Sequence, residues 1–127
     1  MNTNRILTTP TLDHLEQAVL GGIICRPDLL AELDTLETED FSEHHHRVVF
    51  EGLRNLEASR TPIDVLTLEV EIEKAGRLDA IGGVGFLGQL CLSAPTIANA
   101  SEYAKQIQER ATVRRVAMVD TDCRGIT

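Results

Sequence analysis

The stretch DVLTLEVEIEKAG, Asp64 to Gly76, can be read as a strand or as a helix, and the fold class turns on which it is. Leu66, Leu68, Val70 and Ile72 alternate with polar residues, which is the period of a half-exposed strand. Val65, Leu68, Ile72 and Ala75 fit one face of a helix equally well. Two local signals favour the helix. Asp64 can accept from the free N–H groups of a first turn, and Gly76 stands where a left-handed residue closes a helix. A lone strand with no partner strand nearby would also leave its backbone groups unpaired. With this stretch read as a helix, the chain is all-α: about six helices with short connections.

The neighbouring segments agree. In FSEHHHRVVFEGLRNLEAS, Ser42 is the expected N-cap, and His46, Val49, Phe50, Leu53 and Leu56 share one face. Phe41 precedes that cap and is expected to meet His46 as a hydrophobic staple. Further upstream, Thr11 can cap a helix marked by Leu12, Leu15, Val19 and Gly22, with Gly21-Gly22 ending it or packing closely. Pro27 suits the first position of a short helix carrying Leu29, Leu30 and Leu33. Downstream, Gly82-Gly83 read as a turn, followed by a helix from about Val84 to Ser93 that Pro95 closes.

The last segment has the clearest pattern. Asn99 and Glu102 form an expected capping box. Ala100, Ala104, Ile107, Ala111, Arg114 or Arg115, and Met118 then recur at roughly heptad spacing. A helix from Asn99 to about Thr121 spans on the order of 33 Å. Its stripe is mostly alanine, which calls for a close partner helix. The expected organisation is a flexible lead over 1–10, a helical head over 11–95 and the long helix over 96–127, frayed at its end. The expected head core is Leu15, Val19, Phe41, His46, Val49, Phe50, Leu53, Leu68, Ile72, Phe86, Leu87 and Leu90.

Composition narrows the function. The chain has 127 residues, 43% of them hydrophobic, with no Trp, one Tyr and three Phe, so the core must be aliphatic. The formal net charge of −8 argues against this segment gripping a phosphate backbone, which takes Lys and Arg. Cys25, Cys91 and Cys123 are widely spaced with no CxxC, and are expected to be small buried residues in a reducing compartment. The N-terminal MNTNRILTTP has no apolar h-region, and no apolar run approaches the ~18 residues of a membrane span. A soluble, cytoplasmic protein is expected.

Three of the four histidines stand together in SEHHHR. Neighbouring helical residues point about 100° apart, so three consecutive histidines cannot converge on one ion. Within this stretch only Glu43 with His46, or Asp40 with His44 across the cap, has a metal-like spacing, and no metal site is expected. His46 belongs to the inward face. His44 and His45 are expected on the solvated surface. GGVGFLG lacks the GxxxxGK[ST] pattern and does not follow a strand, so no nucleotide site is expected. No GxSxG or HExxH occurs. Glu69, Glu71 and Glu73 read as a solvated face. Arg110, Arg114 and Arg115 cluster on the last helix, either as exposed charge near its C-terminal end or as salt bridges across a helix–helix interface.

These residues are similar to a known family. From about Thr11 onward the chain resembles the N-terminal domain of DnaB-type replicative DNA helicases. The resemblance rests on EQAVLGG (Glu16 to Gly22); on Asp40, Phe41, His46, Val49 and Phe50; on Pro62-Ile63-Asp64; on GRLDAIGG (Gly76 to Gly83) with Phe86-Leu87; on Pro95 to Asn99 with Tyr103-Ala104; and on Arg110 to Arg114. The resemblance implies a helical head followed by a helical hairpin. It implies self-association as a dimer or as the collar of a hexamer, with docking of primase and helicase loader. The resemblance implies a collar that guides DNA toward the channel, while the acidic charge suits little or no direct DNA binding by this domain. It also implies that ATP, Mg²⁺ and all catalytic residues belong to another domain, leaving no cofactor or catalytic residue in this chain. Interaction residues are expected along the long helix: Tyr103, Ile107, Arg110, Ala111, Arg114, Arg115 and Met118. Phe41, His46, Asp64, Gly82, Gly83 and Asn99 are expected to be structural. The rival expectation is a stand-alone phage or plasmid adaptor that imitates this domain to bind helicase or primase.

Overall fold

The stretch from Asp64 to Gly76 is a helix, and both of its ends close as the sequence suggests. Oδ1 of Asp64 accepts from the Thr67 N–H at 2.8 Å, while Oγ1 of Thr67 accepts from the Asp64 N–H at 2.9 Å. At the other end Gly76 has φ +73°, the Arg77 N–H reaches the Ile72 carbonyl at 3.1 Å, and the Gly76 N–H reaches Glu73 at 2.9 Å. These paired bonds satisfy carbonyls that the last helical turn leaves free.

The computed structural model of the protein describes residues 11–92 and 99–126, with side chains as far as 117. The helices are α1 (Leu12–Cys25), α2 (Leu29–Glu32), α3 (His44–Ala58), α4 (Val65–Lys74), α5 (Val84–Leu92) and α6 (Ala100–Ile126), with 3₁₀ turns at Thr38–Asp40 and Asp79–Ile81. No strand occurs among the described residues, so the all-α class holds. No helix among them is long and apolar enough to cross a membrane. The expected closure at Pro95, the boundary at 95/96 and the lead over 1–10 lie outside the described residues.

Helix α1 is the centre of the packing, with α5 and α6 against it, while α3 packs on α4. Val19, Leu20 and Ile23 of α1 meet Phe41, Val49, Phe50 and Leu53, with Leu68, Ile72, Leu87 and Leu90 completing one core. Every expected core residue is buried except Phe86, which is half-buried. Gly52 sets the approach of α3 to α4, since a Cβ there would lie 3.0 Å from Leu68 Cδ1 and 3.3 Å from Ile72 Cγ1. Gly82 (φ +93°) and Gly83 (φ +80°) form the expected turn into α5.

Several local expectations are corrected. Ser42 is not the N-cap of α3; Glu43 holds that position without a side-chain bond, and the Ser42 hydroxyl that could have capped is directed with its N–H to Glu16. The Phe41–His46 staple is replaced by a Phe41–Phe50 ring pair with centroids 4.9 Å apart. Helix α2 begins at Leu29 rather than Pro27, which lies in the preceding turn. Gly21-Gly22 do not end α1, which continues to Cys25; Gly22 instead packs against Leu29. Thr11 does cap α1, accepting from the His14 N–H at 3.2 Å.

Candidate functional site

Two features of the fold carry chemistry that packing alone does not require. One is the long helix α6, and the other is a buried polar centre between α1 and α3.

The inner face of α6 is spent within the chain. Ala100, Ala104, Ile107 and Ala111 are buried against the head, and Tyr103 is half-buried beside them. Ile107 and Ala111 were expected to meet a partner. They are instead buried within the chain, where α6 packs on α1 and on the Thr38–Asp40 turn and the small alanines allow a close approach. Arg114 and Arg115 are also held within the chain. Arg114 Nη2 donates to the carbonyls of Asp40 at 3.1 Å and Glu39 at 3.4 Å. Arg115 Nη2 donates to Oδ1 of the buried Asp40 at 2.7 Å. The salt bridge expected across a helix–helix interface therefore runs from α6 to the 3₁₀ turn of the same chain. Oδ2 of Asp40 accepts from the Glu37 N–H at 2.9 Å, so this one carboxylate ties that turn to α6. Arg110 is half-buried. The side chain of Met118 lies outside the described residues.

The outer face of α6 is different. Val113 is 67% exposed and Val116 is 55% exposed, one turn apart on the same helix. Exposed β-branched apolar side chains at i,i+3 form the start of a stripe that solvent does not favour. The expected Asn99 start is met by the helix beginning at Ala100, with the Asn99 carbonyl accepting from the Tyr103 N–H.

The polar centre is built on Glu16, which is fully buried in α1. Its Oε1 lies 2.7 Å from His46 Nδ1, and its Oε2 accepts from the Ser42 N–H at 2.7 Å. Burial alone would raise the Glu16 carboxyl above its usual value. The hydrogen bonds from His46 and from the Ser42 backbone and hydroxyl outweigh that and hold it below. An ionised carboxylate only accepts, so Nδ1 of His46 carries the proton in this bond. The other ring nitrogen, Nε2, is buried with no hydrogen-bond partner among the described residues, 3.6 Å from Asp13 Oδ1.

The three consecutive histidines thus separate. His44 is exposed, and His46 is buried as its helical face implies. His45 is only partly solvated: its ring stands edge-on to Phe86 with centroids 5.1 Å apart, and 4.5 Å from the His46 ring. Ligand atoms of Asp13, His45 and His46 all lie within 4.8 Å of one another. The spacing rule for consecutive histidines holds for three, but it says nothing of a carboxylate arriving from α1. Sequence reasoning missed Glu16 and Asp13. Glu16 did leave a signal, being a lone carboxylate on the Leu15, Val19 and Leu20 face of α1. Asp13 left none.

Cys25 is exposed and Cys91 half-buried, contrary to the expectation of buried cysteines. Burial raises the Cys91 thiol, and the neighbouring Cys25 raises it further.

Comparison with known proteins follows the fold closely. The family model described as DnaB-like helicase N terminal domain matches residues 8–109. The replicative DNA helicase DnaB of Mycobacterium leprae (strain TN) is 36% identical over 107 residues, which is 84% of this chain and 18% of that protein. The DnaB of Geobacillus stearothermophilus is 33% identical over 113 residues, 88% of this chain and 25% of that protein. The chain thus spans a quarter or less of the length of these curated relatives. The crystal structure of the N-terminal domain of DnaB helicase from Mycobacterium tuberculosis aligns with a TM-score of 0.83 and 34% identity, over 86% of this chain and 79% of that one. A DnaB-like replicative helicase, described together with its interactions with primase, aligns with a TM-score of 0.77 and 24% identity, over 87% of this chain and 26% of that one. At that identity the likeness shows the fold alone.

Proposed function

The chain belongs to the DnaB-like helicase N-terminal domain family, and from that membership we propose that it is the non-catalytic assembly and docking domain of a hexameric, ATP-dependent replicative DNA helicase. In this reading it self-associates as a dimer or as a collar of the hexamer, and offers docking surface to primase and helicase loader in the cytoplasm. ATP and Mg²⁺ act in a different domain, and this chain turns over no nucleotide.

The observation that carries the reading is the outer face of α6. Val113 and Val116 stand exposed on a helix whose inner face is already filled, so a further helix can bury them without disturbing the head. Arg114 and Arg115 fix α6 to the Thr38–Asp40 turn, which presents that face at a set angle. The charge of −8 supports protein rather than phosphate as the partner. The DnaB-like helicase of the same fold is described with its interactions with primase, which supports primase as the docked protein.

Titrating the chain with a bacterial primase, and separately with single- and double-stranded DNA at low salt, tests the docking. Saturable binding to primase with negligible binding to DNA is expected. Binding to DNA with indifference to primase would overturn the reading.

A further inference from the structure

We propose that Asp13, His45 and His46 form a binding site for one divalent transition-metal ion of the zinc class, with Glu16 as the outer carboxylate that orients His46. The site joins the first turn of α1 to the first turn of α3.

His46 Nε2 is a buried ring nitrogen with no hydrogen-bond partner among the described residues, which is costly unless something approaches it. In the neutral imidazole the Nδ1 proton is committed to Glu16 at 2.7 Å, and Nε2 is then the nitrogen that offers a lone pair. Histidines that ligate metal characteristically donate their other N–H to a carboxylate, which fixes the tautomer and raises the basicity of the ligating nitrogen. Glu16 does this here, and is itself held by Ser42.

The remaining ligands fit. Asp13 Oδ1 is 3.6 Å from Nε2. Zinc–nitrogen and zinc–oxygen bonds of about 2.0–2.2 Å in a tetrahedron put neighbouring ligand atoms roughly 3.4 Å apart. The donor atoms of Asp13, His45 and His46 lie within 4.8 Å of one another. Asp13 is half exposed and His45 is about a third exposed, so both can rotate inward to close that gap. Phe86 stacks beside His46 and meets His45 edge-on, giving both rings an apolar wall. Two imidazoles and one carboxylate suit Zn²⁺ over Mg²⁺ or Ca²⁺, which prefer oxygen. The carboxylates of Asp13 and Glu16, with Glu43 4.0 Å from His45 Nδ1, supply the negative charge that a dication needs. Three protein ligands leave the fourth position to water.

The test is calorimetric titration of zinc into the full chain, free of any histidine tag and stripped of metal, at neutral pH. The expected result is one zinc per chain. Asp13→Asn and His45→Ala are each expected to weaken binding roughly tenfold or more. His44→Ala is expected to bind as the parent does, because His44 lies outside the cluster. Nitrogen-15 spectra of the parent's imidazoles should show His46 Nε2, not Nδ1, shifting on addition of zinc, a readout that does not depend on how the variants fold. The proposal is overturned by absence of saturable binding, by Asp13→Asn and His45→Ala binding as the parent does, by an equal loss in His44→Ala, or by His46 signals that ignore zinc.

Discussion

Nδ1 of His46 donates to Oε1 of Glu16 over 2.7 Å, and neither side chain reaches solvent. This bond joins α1 to α3, the helices that carry EQAVLGG and SEHHHR. The Ser42 N–H is drawn to the other Glu16 oxygen, and with the Ser42 hydroxyl also directed to Glu16, α3 begins without a side-chain cap. Glutamine at this position keeps one acceptor oxygen and turns an amide N–H₂ toward the other donor, which is left without an acceptor. Glu16→Gln is therefore expected to cost about 1–3 kcal/mol in chemical denaturation, with the helical content of the folded state retained. A change within error would mean that water or rearrangement satisfies the donors.

The pH dependence of that cost has a definite sign. Hydrogen bonds hold the Glu16 carboxyl below its ordinary value of 4.5 in the folded chain. A depressed carboxyl stabilises the fold in full above the unfolded value, and the contribution disappears as pH falls through the folded one. The stability gap between parent and Glu16→Gln should thus be steady from neutral pH down to about 5 and narrow below the ordinary value. A gap that widened on acidification would reverse the assignment of Glu16 as the buried anion.

Arg114 is expected to matter for stability more than for association. Its Nη2 bridges two carbonyls of the Thr38–Asp40 region. Arg114→Ala should cost about 1.5–3 kcal/mol, the range for hydrogen bonds to a charged group, and leave self-association in place. Arg115→Ala should cost less than about 1 kcal/mol, since its side chain is half exposed and its bridge to Asp40 is screened. Lost association at unchanged stability in Arg114→Ala would mean that the residue faces a partner.

Arg60 marks a correctable strain. It has φ +58° just past the end of α3, where the Thr61 N–H reaches the Leu56 carbonyl at 2.9 Å. That is the left-handed closing position that glycine fills at Gly76. Arg60 is exposed. Arg60→Gly is expected to stabilise the chain by roughly 0.5–1 kcal/mol, read as a higher denaturation midpoint at unchanged slope. A lower midpoint would mean that the arginine side chain contributes more than the backbone costs.

The fold was legible because its signals were local. Asp64 and Gly76 bracket α4, Thr11 caps α1, Gly82-Gly83 turn the chain, and the apolar spacing picks out part of the core, though not Leu20, Ile23, Ile24, Leu36, Val48 or Ile81. What stayed hidden were pairings between distant segments. Nothing near Ser42 announces that its N–H goes to Glu16, 26 residues away, and nothing near Arg115 points to Asp40, 75 residues away. The same gap misplaced Ile107 and Ala111, since a heptad stripe shows that a helix has an apolar face but not whose surface covers it. It also separated His45 and His46 from Asp13, which approaches from another helix.

We hold that the outer face of α6 assembles copies of this chain, a claim that sedimentation equilibrium of the parent beside the Val113→Glu/Val116→Glu double variant will test. Both side chains are exposed and glutamate is a good helix former, so the head should fold unchanged, as circular dichroism will report. A concentration-dependent dimer or higher assembly for the parent, with a folded monomer for the variant, is the predicted result. A parent that stays monomeric at every accessible concentration, or a variant that associates as strongly as the parent, would contradict the claim.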